Sequence, residues 1–132
     1  MGEIAIKRIY EPPSRDDGLR ILVDRIWPRG VSREAAHLTL WLKEIAPSAQ
    51  LRQWFGHKPA RWKEFQEQYR TELDANRAAI EHLRALCKKG RVTFLYGARD
   101  TEHNQARVLV EYLRASGSHD RPARRTTRSR SQ

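Results

Sequence analysis

Cysteine is almost absent from this sequence, which excludes two classes of protein. Cys87 is the only one, so the chain can form no internal disulfide and no cysteine-based zinc site. In the segment AIEHLRALCKKG, Cys87 shares a helical face with Ile80 and Leu83, and we predict that it is a small core residue rather than a nucleophile. A single reduced thiol is typical of the cytoplasm.

Long apolar runs are missing as well. No segment approaches the roughly 20 apolar residues that a membrane-spanning helix needs. The N-terminal segment MGEIAIKRIY carries Glu3 and lacks the apolar core of a signal peptide. We therefore expect a cytoplasmic protein that has no membrane partner.

Acidic residues are scarce relative to basic ones. The 26 lysines and arginines exceed the 16 aspartates and glutamates, which gives a net charge of +10. The segment 118–132 holds five arginines, one aspartate and almost no apolar residue. We predict a folded domain over residues 1–117 and a disordered Arg-rich tail over 118–132. The basic body indicates an anionic partner, whereas non-specific binding is the simpler role for the tail.

Two motifs of phosphate and metal chemistry are absent. No glycine-rich loop ends in Lys-Ser or Lys-Thr, which excludes a P-loop. The five histidines are scattered, and Asp100 with His103 forms the only local pair, so we predict no bound metal. The sequence names no cofactor.

The apolar patterns indicate a small α/β domain. EIAIKRIY, LRILVDRIW and RVTFLYG are typical of strands, and the second is apolar on both faces, as in a covered sheet. Helical spacing is found in LTLWLKEIAPS, in segments 48–55 and 62–87, and in ARDTEHNQARVLVEYLRA, which opens with the cap residues Asp100 and Thr101. We predict one domain in which a short mixed sheet of about three strands packs with several helices. The loop 11–18 favours a hairpin between the first two strands, because parallel crossovers are usually longer.

Polar residues follow the second and third predicted strands where each strand leaves the core. The second ends in DRIWPRG and the third in YGARDTEHN. If these strands are parallel, both segments leave the same edge of the sheet, where ligands of open α/β sheets bind. We predict a ligand pocket at these strand carboxyl ends.

The residue types in these segments suit an anion and proton transfer. Guanidinium groups clamp anions, and the start of a helix presents free N–H groups. Asp24 and Asp100 are candidate bases, and His103 and His57 are candidate proton donors. The predicted ligand-binding residues are Arg25, Trp27, Arg29, Tyr96, Arg99, Thr101 and Asn104.

Each of these residues also has a structural interpretation. Asp24 beside Arg25 could form a salt bridge at the edge of the core. Asp100 could serve only as an N-cap, and Trp27 could pack on Pro28 as a lid of the core. Taken together, so many polar groups at two strand ends favour a pocket over separate structural roles.

The segments VDRIWPRGVS, WLKEIAPS, LRQWFGHKPARWKEFQEQY and LYGARDTEHNQARVL, in this order, carry a family resemblance. The chain resembles the YeaO-like family of small bacterial proteins, also called domain of unknown function 488, from about Ile4 to Leu113. The resemblance implies a cytoplasmic α/β protein of one domain and names no reaction.

Three functions are open from the sequence. The leading hypothesis is binding or conversion of a small anionic ligand, such as a nucleotide or a phosphorylated metabolite, in the predicted pocket. The alternative is a nucleic-acid-binding regulatory protein, because arginines are interleaved with aromatic residues in a chain of high positive charge. The third is a protein-interaction module or a homodimer with tryptophans buried at its interface.

Overall fold

A parallel sheet of four strands forms the centre of the protein. The computed structural model describes residues 3–117, so the predicted Arg-rich tail lies outside the described residues. The strands are β1 (Ile4–Arg8), β2 (Leu19–Leu22), β3 (Leu40–Trp41) and β4 (Val92–Tyr96), in the order β1-β4-β2-β3. All neighbouring pairs are parallel. The predicted α/β class is confirmed, with four parallel strands in place of about three mixed ones.

The predicted hairpin between the first two strands is wrong. β4 lies between β1 and β2, and Val92 pairs with Ile4 on one side and Leu19 on the other. The chain therefore crosses from one end of the sheet to the other through segment 9–18, which contains a single 3-10 helix, Arg15–Asp17. All five residues of β4 are buried, as expected for the strand that has a neighbour on each side.

A buried charge cluster holds the short crossover against the sheet. The carboxylate of Asp17 accepts hydrogen bonds from Lys7 Nζ, at 3.1 Å, and from the guanidinium of Arg20. Thr93 Oγ1 in β4 donates to the backbone oxygen of Asp17 at 2.8 Å. Residues from three strands thus bind one aspartate. Burial raises the pKa of its carboxyl, but the hydrogen bonds from the Ser14 N–H, Lys7 and Arg20 outweigh this effect, so the pKa is lowered overall. Loop length alone gives no sign of this cluster.

Five helices surround the sheet. They are α1 (Arg33–Ala36), α2 (Ala49–Phe55), α3 (Trp62–Ala75), α4 (Arg77–Lys88) and α5 (Gln105–Gly117). Ser48 begins α2 by accepting a hydrogen bond from the Leu51 N–H, and Gly56 ends it with φ at 53°, a conformation that favours glycine. Across residues 3–117, none of the helices has both the length and the apolar content needed to cross a membrane.

The segment LTLWLKEIAPS does not form the predicted helix. Leu40 and Trp41 form β3, which pairs with Ile21 and Leu22, and a 3-10 helix follows over Lys43–Ile45. The prediction was wrong because the apolar run is short, and its spacing is compatible both with the 3.6-residue period of a helix and with the two-residue period of a strand. The indole N–H of Trp41 also donates to the backbone oxygen of Asp24 at 2.7 Å, which holds the strand in place.

The core has a layer on each face of the sheet. Ile21 and Val23 face the larger layer, which contains α2 to α5, whereas Leu22 faces a smaller layer beneath α1. The smaller layer joins the buried residues Ile9, Leu22, Ala36 and Leu95 to the half-buried Trp27, Val31, Leu38 and Trp41. Cys87 is fully buried in the larger layer, so its prediction as a core residue is confirmed.

Candidate functional site

A cleft of about 870 Å³ opens at the carboxyl edge of the sheet. Because β1, β2 and β4 are parallel, Arg8, Asp24 and Gly97 all lie at this edge and line the cleft. The loop before α2, the turn after it and the start of α5 complete the walls. This volume falls within the range of small-molecule sites, roughly 300–1,000 Å³.

Most of the predicted site residues line this cleft. They are Asp24, Arg25, Trp27, Arg29, His57, Arg99, His103 and Asn104. Tyr96, Asp100 and Thr101 are not among the lining residues. Tyr96 is a core residue with 3% exposure, because strand β4 is buried on both faces, and burial raises the pKa of its phenol. The eight residues above therefore lie around one cleft, whereas Tyr96 lies in the core and does not line it.

Asp24 is fixed at the junction of β2, β4 and α5. Its Oδ2 accepts a hydrogen bond from the Gly97 N–H at 2.9 Å, and its Oδ1 accepts one from the side-chain amide of Gln105. Burial raises the pKa of this carboxyl from 3.8 to about 6, although the hydrogen bonds from Gly97 and Gln105 oppose the change. Asp24 is thus able to change protonation near neutral pH, as a proton-transfer group requires.

The tryptophans beside Asp24 shape the loop between β2 and α1. Trp27 donates its indole N–H to the Val31 backbone oxygen at 2.8 Å and packs edge-on against Trp41, with 5.3 Å between ring centroids. The guanidinium of Arg33 lies over both rings, at 4.5 and 5.2 Å. Trp27 therefore lines the cleft as part of a rigid loop, and its polar atom is already used.

Five arginines line the cleft, whereas Asp24 is the only acidic residue among the lining residues. The arginines are Arg8, Arg25, Arg29, Arg52 and Arg99. Within residues 3–117, none of these five forms an ion pair with a carboxylate. With neutral histidines and an ionised Asp24, the lining side chains carry a charge of +4. Such a surface attracts anions.

Two of these arginines are held by backbone oxygens. Arg25 donates from Nε to Pro47 O at 3.0 Å and from Nη2 to Ala46 O at 3.1 Å. Arg8 donates from Nε to Ala98 O at 2.9 Å. A carbonyl oxygen orients a guanidinium without neutralising it, so the positive charge stays available to a ligand.

His103 and Asp100 form a hydrogen-bonded pair at the cleft. His103 Nδ1 lies 2.9 Å from Asp100 Oδ2, and the Trp62 ring contacts the imidazole edge-on with 5.1 Å between centroids. Hydrogen bonds from the Glu102 N–H and from His103 lower the pKa of Asp100 to about 2. Because an ionised carboxylate has no proton to donate, Nδ1 of His103 is the donor in this bond, which leaves Nε2 as the ring nitrogen available to a ligand.

The start of α5 differs from the prediction. The helix begins at Gln105, and Asn104 caps it by accepting a hydrogen bond from the Arg107 N–H at 3.1 Å. Asp100 and Thr101 are therefore not its cap residues, because Asp100 instead closes a turn with the Glu102 and His103 N–H groups. The Asn104 side chain also donates to Asp100 O at 2.9 Å, so both ends of its amide serve the backbone.

His57 lies at the mouth of the cleft in an uncommon backbone conformation. Its φ is 57°, directly after Gly56 at 53°, so two consecutive residues are left-handed. This conformation costs a residue with a Cβ roughly 1–2 kcal/mol. The exposed imidazole lines the cleft and contacts the Phe55 ring, with 6.0 Å between the ring centroids.

The cleft residues that the sequence analysis did not assign to the site include Arg8, Tyr10, Arg52 and Gln105. The expected hairpin is the cause for Arg8 and Tyr10, because it made β2 run antiparallel to β1 and left the end of β1 away from the cleft. Arg52 lies on α2, and its position depends on helix packing. No group of three or more His, Cys, Asp or Glu residues in the described part of the chain could hold a metal ion.

The fold and the cleft define a class of protein, a small parallel α/β domain with an arginine-lined cleft at the carboxyl ends of its strands. The chain belongs to the DUF488-N3i family, whose description is "Inactive DUF488-N3 subclade" and which matches residues 3–131. The family predicted from the sequence motifs is thus confirmed.

Relatives of this chain cover most of its length. It is 42% identical over 112 residues to "Uncharacterized protein YeaO" of Escherichia coli strain K12, which is 85% of this chain and 97% of the relative. It is 39% identical over 110 residues to "Uncharacterized protein Rv3073c" of Mycobacterium tuberculosis strain H37Rv, which is 83% of this chain and 92% of the relative. No solved structure is significantly similar to the chain.

Proposed function

We propose that this protein binds a small anionic ligand in the cleft at the strand ends. The observation that carries the proposal is the set of five arginines around one cleft, none of which forms an ion pair within residues 3–117, although the charge of Arg52 favours the ionised form of Asp24. Most surface arginines are separated from one another and are hydrated individually. Several guanidinium groups around one concave site can together bind a multiply charged anion.

The orientation of the arginines supports tight binding. Arg8 and Arg25 are already held by carbonyl oxygens, so an anion need not restrain their side chains again. Preorganised groups lose less conformational entropy on binding, and this improves affinity. Phosphate and sulfate fit the guanidinium geometry particularly well, because their oxygens accept two parallel N–H bonds.

Binding is proposed ahead of chemical conversion. The family description calls its subclade inactive, which favours a protein that holds its ligand unchanged. Conversion is the second candidate, because the Asp100–His103 pair is arranged for proton transfer. In a phosphorus NMR experiment with ribose 5-phosphate, we expect the ester to stay intact over hours, and release of inorganic phosphate would favour conversion instead.

The expected cellular setting is part of this proposal. Cys87 is a free, buried thiol with a pKa raised by burial, which is typical of a protein from a reducing compartment. We therefore propose that the anion is a cytoplasmic one.

Anion binding is tested by calorimetric titration of the full chain with phosphate, sulfate and pyrophosphate at physiological salt. Arg52→Ala and Arg99→Ala are the informative variants, since both side chains are exposed and Arg99 makes no hydrogen bond within residues 3–117. A hydrogen bond to a charged group contributes about 1.5–3 kcal/mol, so each variant should bind roughly tenfold more weakly or worse.

Lys89→Ala is the matched control. It also removes one positive charge, but Lys89 precedes β4 at the opposite edge of the sheet and is exposed. We expect its affinity to equal that of the wild type. Equal losses in all three variants would mean that only net charge matters, and no measurable binding of any of the three anions would refute the proposed function.

A further inference from the structure

Exposed large apolar side chains are rare in the described part of the chain, and they are concentrated at the cleft. Tyr10 is 42% exposed and Ile26 is 59% exposed, and these are the exposed large hydrophobic residues of residues 3–117. Both line the arginine cleft. Exposed apolar groups that gather at one concave site mark a binding surface. A simple inorganic anion would make no use of them.

The Tyr10 ring is held in a fixed position. Its hydroxyl donates to the Arg29 backbone oxygen at 2.7 Å, and the Arg8 guanidinium lies 4.7 Å from the ring centroid. Arg8 is itself fixed by its bond to Ala98 O at 2.9 Å. Tyr10 is thus an exposed aromatic ring that is anchored at its hydroxyl and supported by a cation, which is the arrangement of a stacking platform.

We infer that the anion bound in this cleft is a nucleoside phosphate, whose base stacks on Tyr10 and whose phosphate binds the arginines. This inference rests on the proposed anion-binding function and adds the class of ligand. A base is planar and apolar on its faces, so it matches Tyr10 and Ile26, whereas a phosphate matches the guanidinium groups. The cleft volume of about 870 Å³ accommodates both parts of such a molecule.

The experiment compares ligands that share the phosphate and differ in the base. The full chain is titrated calorimetrically with ribose 5-phosphate and with the four ribonucleoside 5′-monophosphates at physiological salt. Base stacking contributes about 1–3 kcal/mol, so at least one nucleotide should bind about 5- to 100-fold more tightly than ribose 5-phosphate. Tyr10→Ala should remove this preference, so that in the variant the nucleotides bind no more tightly than ribose 5-phosphate does.

Two further variants separate stacking from folding. Tyr10→Phe keeps the ring and loses only the bond to Arg29, so it should retain most of the preference for the nucleotide. Ile26→Ala shortens a side chain that is 59% exposed, and it should reduce the ratio of nucleotide affinity to ribose 5-phosphate affinity. Tyr112→Phe is the matched control, because its hydroxyl bonds Asp74 at 2.7 Å outside the cleft, and it should bind as the wild type does.

The possible results are distinct. Equal affinities for ribose 5-phosphate and all four nucleotides would overturn the inference and leave the proposed anion-binding function intact. Failure of every ligand, inorganic phosphate included, would refute both. A single-stranded octanucleotide that binds more tightly than its mononucleotide, with the difference lost in Tyr10→Ala, would support the inference and identify nucleic acid as the source of the nucleoside phosphate. The basic tail is present in every variant, so it cancels from these comparisons.

Discussion

Replacement of Asp24 by Asn should change how the stability of this protein depends on pH. Burial raises the pKa of this carboxyl from 3.8 to about 6. Between these two values, Asp24 is mostly protonated in the folded state and mostly ionised in the unfolded state, so protons favour folding. The stabilisation is complete below the unfolded pKa and is lost as the pH rises through about 6. The wild type should therefore gain stability, relative to the variant, as the pH falls.

The magnitude follows from the pKa and the burial of Asp24. For each pH unit below the folded-state pKa, protonation of Asp24 adds about 1.4 kcal/mol to the free energy of unfolding. The carboxyl is partly exposed to water, which reduces this contribution. We expect the wild type to gain about 1 kcal/mol in the free energy of unfolding over Asp24→Asn between pH 7.5 and pH 5. Asn can keep both bonds, because its oxygen can accept from Gly97 and the Gln105 amide can rotate to accept from its NH₂.

Urea unfolding of both proteins at pH 7.5, 6 and 5 measures this difference. The histidines and the other carboxyl groups are common to both chains, so their titration cancels. Asp16→Asn removes an exposed carboxyl near the opposite edge of the sheet and should run parallel to the wild type. If the Asp24→Asn curve also runs parallel to the wild type, Asp24 does not titrate in this range and its described environment is incorrect.

Three other substitutions test the local structure, each by urea unfolding at pH 7.5. Gly97→Ala should lower the free energy of unfolding by about 1–3 kcal/mol, because the added Cβ would lie 3.0 Å from Asp24 Oδ2, and Ala98→Gly controls for position. Ser48→Ala should cost about 1 kcal/mol or more, since its Oγ caps α2 and also donates to Glu72 Oε2 at 2.6 Å, whereas Ser48→Thr keeps the hydroxyl and should recover part of the loss. His57→Gly should add about 1 kcal/mol, because its φ of 57° suits glycine, and an unchanged or lower stability would contradict the strained turn.

The sequence predicted best those strands whose own apolar residues already indicate that they are buried. The residues Ile21, Leu22 and Val23 form a continuous apolar run, and all three are fully buried. β3 was missed, because two residues carry too little pattern to distinguish a strand from a helix. Its position depends on pairing with β2 and on the bond from Trp41 to Asp24, both of which are tertiary contacts.

The sequence could predict only those residues of the candidate site that directly follow a predicted strand. Asp24, Arg25 and Arg99 follow strands that were assigned from their apolar patterns, and all three line the cleft. Arg8 escaped notice because its place depends on strand order, which buried charges around Asp17 help to determine. Local sequence patterns describe neighbours along the chain, whereas strand order is decided by contacts between distant residues.

The position of β4 has a consequence for the route by which this chain folds. β1 is an edge strand whose one neighbour is β4, so Ile4 finds its partner only when Val92 is present. During synthesis, β1 and β2 emerge early with a gap between them that no other strand fills. Such distant pairing slows folding and leaves strand edges open to other chains in the meantime. Completion of the sheet, and with it the cleft, therefore waits for the last third of the domain to leave the ribosome.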